Sequence, residues 1–128
     1  MDESRPIFLQ IAEAIENDII AGALAEETQV PSTNEFAAFY RINPATALKG
    51  VNLLVDEGIL YKKRGIGMFV AEGAQARIVT QRRDKFSEEF VRPLVQEADK
   101  LGISAAELAA MVSTAAAVAT RSTVEGTE

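Results

Sequence analysis

Isoleucines 7, 11, 15 and 19 fall four residues apart, flanked by Phe8, Ala12 and Ile20, while Glu13, Glu16, Asn17 and Asp18 fall between them. That spacing puts the apolar side chains on one stripe of a helix and the polar ones opposite. Pro6 suits the first turn, and Gly22 suits the residue past the last turn, where positive φ is needed. A second period begins after Pro31. Ser32 and Glu35 have the spacing of a capping box, and Phe36, Ala37 and Tyr40 line one side of the short helix that follows. Arg41-Ile42-Asn43-Pro44 interrupts it. Asn43 then reads as an N-cap with Pro44 at the first helical position, and Ala47, Leu48, Val51, Leu54 and Val55 carry a third apolar stripe as far as Gly58.

Two helices about three residues apart, the second opened by a polar cap, form a helix-turn-helix. Ile59-Leu60-Tyr61-Lys62-Lys63-Arg64 reads as a strand, Gly65-Ile66-Gly67 as a tight turn, and Met68-Phe69-Val70-Ala71 as the returning strand. Helix, helix-turn-helix and hairpin together predict a winged helix over residues 1–72. The fold class is α+β, mainly α.

Helical spacing resumes after Glu72-Gly73-Ala74-Gln75-Ala76, so residues 73–128 are expected to form a second region of two helices. Val79, Phe86, Phe90, Leu94, Ala98 and Leu101 make one long stripe, interrupted by Pro93, where a kink is expected. Gly102 ends that helix, Ser104 and Glu107 form another capping box, and Leu108, Met111, Val112, Ala115 and Val118 stripe a last, Ala-rich helix. From about residue 121 the chain reads as unstructured. Two helices cannot enclose a core, and the winged helix already uses its own apolar faces. The stripe of Val79, Phe86, Phe90, Leu94, Leu101, Leu108, Met111 and Val112 is therefore expected to pack against a second copy, giving a two-fold homodimer.

At 128 residues there is room for one domain and a small appendage. The absence of Cys and His excludes disulfides, thiol nucleophiles, Ser-His-Asp triads and the common zinc sites, and no metal or other cofactor is expected. No apolar run approaches the roughly 20 residues that span a bilayer, and the start Met-Asp-Glu-Ser-Arg lacks the features of a signal peptide, so a cytoplasmic location without membrane attachment is expected. Asp84, Glu88 and Glu89 lie in a mixed run with Arg77, Arg82, Arg83 and Lys85 that reads as the wet face of a helix and not as a carboxylate site; no enzymatic role is expected.

The net charge of −6 argues at first against a nucleic-acid partner, but it is unevenly spread. Residues 1–27 hold one Arg against seven acids, whereas residues 28–70 hold five basic residues against three acids. Only charge within a Debye length, about 8–10 Å, matters to a phosphate, so a local basic face suffices. In a helix-turn-helix the second helix enters the major groove of double-stranded DNA with its N-terminal residues nearest the base edges. Here those are Asn43, Ala45 and Thr46, with Lys49 one turn on; Ala45 and the Thr46 methyl suit a thymine methyl, and Lys49 a phosphate or guanine. Asn43 is equally accounted for by capping. Ser32, Thr33 and Asn34 open the preceding helix, where backbone amides suit a phosphate, although a cap alone explains Ser32. Arg41 lies in the turn between the two helices. Lys62, Lys63 and Arg64 lead into Gly65 and Gly67, placing cations on a hairpin tip that the backbone of DNA could approach closely. A winged helix that binds a protein partner through the same face is the competing reading.

Pro6-Ile7-Phe8-x-Gln10-Ile11, Gly22-x-Leu24, Val30-Pro31-Ser32, Asn43-Pro44-x-Thr46, Leu54-x-x-Glu57-Gly58 and Arg64-Gly65-x-Gly67-x-Phe69-Val70 occur in this order over residues 6–70. This series resembles the DNA-binding domain of GntR-type bacterial regulators, and the short tail is similar to that of the YtrA-type subfamily. The resemblance implies a homodimeric transcription regulator, usually a repressor of its own operon, bound to inverted-repeat DNA. It implies DNA contacts at Thr46 and at the wing glycine, Gly65 or Gly67. Where the family usually has an Arg that contacts DNA, this chain has Asn34, which can bond an adenine edge or a phosphate but lacks the charge. Any small-molecule effector would have to lie between the tail helices or at the dimer interface.

Overall fold

A computed structural model describes residues 3–126, with side chains described for residues 3–120. The elements run α1 (Ile7–Ile20), α2 (Thr33–Tyr40), α3 (Pro44–Asp56), β1 (Leu60–Lys63), β2 (Gly67–Val70), α4 (Ala74–Phe86), a π-helical stretch (Ser87–Val91), α5 (Arg92–Lys100) and α6 (Ala105–Gly126). The chain divides into two compact units, Met1–Arg83 and Asp84–Glu128.

In the first unit the α1 stripe is buried through Ile11, Ala12, Ile15 and Ile19, whereas Ile7 in the opening turn stays exposed. Pro6 stands one position before the helix, as its N-cap. Gly22 takes φ +84 immediately beyond the C-cap. Phe36 and Ala37 of α2 and Ala47, Gly50, Val51 and Leu54 of α3 meet that stripe. Gly50 lies where the α1 and α3 backbones approach: a Cβ there would stand 2.7 Å from the Phe8 carbonyl oxygen. Leu48, expected in the α3 stripe, is instead 44% exposed. The buried set of α3 repeats at positions 47, 50, 51 and 54, and Leu48 lies off that face.

The hairpin pairs antiparallel in the register Leu60↔Val70, Tyr61↔Phe69, Lys62↔Met68 and Lys63↔Gly67. Residues 27–30 add a third, irregular edge to it. Val30 N–H donates to the Met68 carbonyl (2.9 Å), Val70 N–H to the Thr28 carbonyl (3.0 Å) and Glu27 N–H to the Val70 carbonyl (2.8 Å), and Gln29 bridges Phe69.

The first unit does not end at residue 72 but runs to Arg83, because the start of α4 completes its core. Ala74 and Ile78 are fully buried there, and Val79, expected in the dimer stripe, is half-buried in this unit. Arg77 and Arg82 are not merely a wet face. Arg77 donates to the Gly58 carbonyl just past the α3 C-terminus (2.9 Å), and Arg82 donates to Asn17 Oδ1 (2.7 Å) and pairs with Glu16 (3.4 Å).

In the second unit Pro93 sits in the first turn of α5, directly after the π-helical stretch. Proline has no N–H and its ring crowds the carbonyl four residues back, so a wider turn there relieves both faults. Ser104 caps α6, its Oγ accepting from the Glu107 amide (3.1 Å). The helix continues to Gly126, into the stretch expected to be unstructured; the side chains of residues 121–126 and all of residues 127–128 lie outside the described residues.

Candidate nucleic-acid interface

The candidate interface is built on two helix starts whose caps hold them in place. Ser32 accepts from the Glu35 amide (3.1 Å) while its own N–H donates to Glu35 Oε1 (3.0 Å), a complete capping box. That backbone donor first, and the serine hydroxyl second, hold the Glu35 carboxyl below the ordinary glutamate range. At the next start Asn43 Oδ1 accepts from the Ala45 amide (2.8 Å), and Pro44 occupies the first turn. Between the helices Arg41 adopts the left-handed conformation at φ +56, which closes the short turn and turns the chain into α3.

Three consequences follow for the predicted contacts. Ser32 and Asn43 are committed to capping. Asn34, Arg41 and Ala45 are exposed, Thr33 and Thr46 are half-buried, and among the described residues no side-chain hydrogen bond or ion pair ties down Asn34 or Arg41. Lys49 is exposed, with its ammonium 4.2 Å from the centre of the Phe8 ring, so α1 helps to position it.

Ala45, Leu48, Lys49 and Asn52 recur at the helical spacing of three and four residues and are all exposed, forming one face of α3 opposite its buried set. With Phe8, Leu53 and Asp56 they line a shallow groove of about 380 Å³. Leu48 and Asn52 are the members that the expected DNA contacts did not include. Asn52 carried a signal in being a polar residue seven positions after Ala45; Leu48 carried the opposite signal.

The hairpin supplies the remaining cations. Lys62, Lys63 and Arg64 are exposed, and the Lys63 ammonium lies 4.2 Å from the centre of the Phe69 ring, which in turn stacks on Tyr61 across the strands (5.9 Å). Ile66 N–H donates to the Lys63 carbonyl (2.9 Å), making a turn whose third residue, Gly65, has φ +78. That position requires positive φ in a type II turn and therefore favours glycine. Tyr61 donates its hydroxyl proton to Glu27 (2.6 Å), and this bond raises the tyrosine pKa.

The family of bacterial regulatory proteins named gntR matches residues 8–70. The HTH-type transcriptional regulator YhcF of Bacillus subtilis (strain 168) is 32% identical over 105 residues, covering 82% of this chain and 85% of that one. The chain belongs to the GntR family. It is accordingly a DNA-binding transcription regulator and not an enzyme. The HTH-type transcriptional repressor YtrA of the same organism is 28% identical over 105 residues, covering 82% of this chain and 80% of its own, so the likeness extends beyond the winged helix. Among solved structures, the AraR DNA-binding domain in complex with operator ORX1 superposes with a TM-score of 0.51 at 30% identity, covering 56% of this chain and 87% of that one. Among the described residues no helix is long and apolar enough to cross a membrane, and no cluster of acidic side chains has the grouping of a metal site.

Proposed function

We propose that this GntR-family protein is a cytoplasmic repressor that binds an inverted-repeat operator as a homodimer, each copy laying α3 in a major groove and its hairpin over the flanking backbone and minor groove. The observation that carries the reading is the exposed α3 face of Ala45, Leu48, Lys49 and Asn52, opened by an N-terminus whose capping is complete within the chain. Thr46 and Ala45 read bases, Leu48 adds an apolar contact suited to a thymine methyl, and Thr33, Asn34 and Arg41 touch phosphates. Lys49, Lys63 and Arg64 bind the backbone, and Gly65 and Gly67 allow the hairpin to approach it. The names of YtrA as a repressor and of AraR as an operator binder support the direction and the partner.

The second unit supports the dimer. Phe86, Phe90, Leu94 and Val112 remain exposed, and Leu108 half-buried, along an open apolar groove of about 620 Å³, while Leu101 and Met111 are exposed outside its lining. A second copy's equivalent helices would cover these side chains, and a small-molecule effector that acts on the dimer would enter the same groove. Val79, packed within the first unit, is left out of that face.

Fluorescence anisotropy with a selected duplex at several salt concentrations tests the contacts. Lys49→Ala, Lys63→Ala and Arg64→Ala should each reduce the salt slope by about 0.9, whereas Thr46→Ala should keep the slope and relax base preference. Unchanged slopes in the three cationic variants would refute the assignment.

A further inference from the structure

A single exposed isoleucine on a soluble protein is ordinary. Ile66 differs in its setting. It is 63% exposed at the tip of the hairpin, separated from the run Lys62-Lys63-Arg64 by Gly65 alone, where a side chain that avoids water gains nothing from folding. The backbone that carries it is fixed on both sides. Its N–H is bound to the Lys63 carbonyl (2.9 Å), and its carbonyl accepts from the Gln29 side-chain amide (3.0 Å), from a segment 37 residues earlier in the chain. Gln29 packs so closely under the tip that a Cβ on Gly67 would stand 2.5 Å from its Nε2, and Gly67 itself has φ +146. The tip is thus a braced apolar point on a cationic arm.

We propose that Ile66 is a specificity-determining contact that enters the minor groove beside each half-site and disfavours G·C pairs there, with Gln29 as the residue that positions it. The inference rests on the operator-binding reading above. The cations bring the arm to the phosphates on either side of a groove, and the groove floor then meets the isoleucine. An A·T pair leaves that floor low. In a G·C pair the guanine 2-amino group stands up from it and needs a hydrogen-bond acceptor, which a branched aliphatic side chain lacks. Discrimination here acts by steric and desolvation penalty, with no hydrogen bond to the base, and depends on the tip being held still. Loss of the Gln29 donor frees the Ile66 carbonyl and lets the tip retreat from the amino group.

The test measures affinity of the full chain for duplexes that share the selected half-sites and differ only in the flanking pairs under the hairpin, which carry A·T, G·C or inosine·cytosine. Inosine lacks only the 2-amino group of guanine. The wild type should bind the A·T and inosine·cytosine duplexes alike and the G·C duplex about five- to tenfold more weakly. Ile66→Ala and Gln29→Met should lose most of that difference while keeping the wild-type salt slope; Arg64→Ala should do the reverse. Thermal unfolding checks that each variant is folded, and the inosine comparison needs no variant at all. Selective binding to the half-sites with no flank preference, an inosine duplex that behaves like G·C, or full preference in Ile66→Ala would overturn the Ile66 contact alone. Full preference in Gln29→Met would overturn the brace. No selective DNA binding by the wild type would instead overturn the operator-binding reading on which the contact rests.

Discussion

Two glutamates of the first unit are shifted in opposite directions. Glu35, drawn into the Ser32 capping box, is held below its ordinary range, so its stabilising contribution is present above the unfolded-state pKa and is lost as pH falls through the lower folded value. Glu16 is raised by burial, against the pull of Arg82, so its contribution has the other sign: it is present at low pH and lost as pH rises through the raised folded value. Carbon-detected NMR titration should find Glu16 titrating above Glu35, and Ser32→Ala should move Glu35 upward while leaving Glu16 in place. The Glu35 partner could be read from the chain because a capping box spans three residues. The Glu16 partner could not, since Arg82 lies 66 residues away and the charge run containing it looks solvated. Asn43→Ala should cost about 1 kcal/mol in chemical denaturation, the ordinary loss of an N-cap acceptor.

Among the elements, the helix-turn-helix was almost wholly legible, because caps, glycines and apolar periods are local signals that agree with one another. The departures have separate causes. Leu48 fits a 3/4 stripe with Val51 and Val55, but the buried face is set by Ala47, Gly50, Val51 and Leu54 and leaves it outside. Gly50 gives no apolar signal, yet it is where α1 and α3 come closest. Gly50→Ala should therefore be destabilising even though alanine favours a helix, since its methyl group would meet the Phe8 carbonyl oxygen first and the buried Ile11 side chain next; a lower denaturation midpoint with an unchanged slope is the expected result. The role of α4 was missed because its pattern reads as a continuation of the tail. Ile78 is fully buried in the first unit, beyond the residues matched to the family, and Ile78→Ala should destabilise that unit by about 2–5 kcal/mol, measured by urea unfolding. The Gln29 brace left no trace either, as a polar residue in a loop gives no sign of the tip it will meet.

For the molecule as a whole, net charge is a poor guide to partner. Seven of the nineteen acids lie in residues 1–27 and three in residues 28–70, and the cations proposed to meet DNA lie on α3 and the hairpin. The second unit presents Phe86 and Phe90, their ring centres 5.5 Å apart, on an exposed apolar face. Phe90→Arg should convert the proposed dimer to monomer in sedimentation equilibrium without changing the thermal unfolding of the first unit, and should weaken operator binding far more than binding to a single half-site. The most direct measurement is selection of binding sites from random double-stranded DNA by the purified protein, followed by anisotropy of the winning sequence against its scramble. The account predicts a palindromic winner with half-site centres about one helical turn, roughly 34 Å, apart or a multiple of it, bound much more tightly than the scramble. Failure to enrich any sequence, or enrichment of a single unpaired half-site by a monomer, would contradict it.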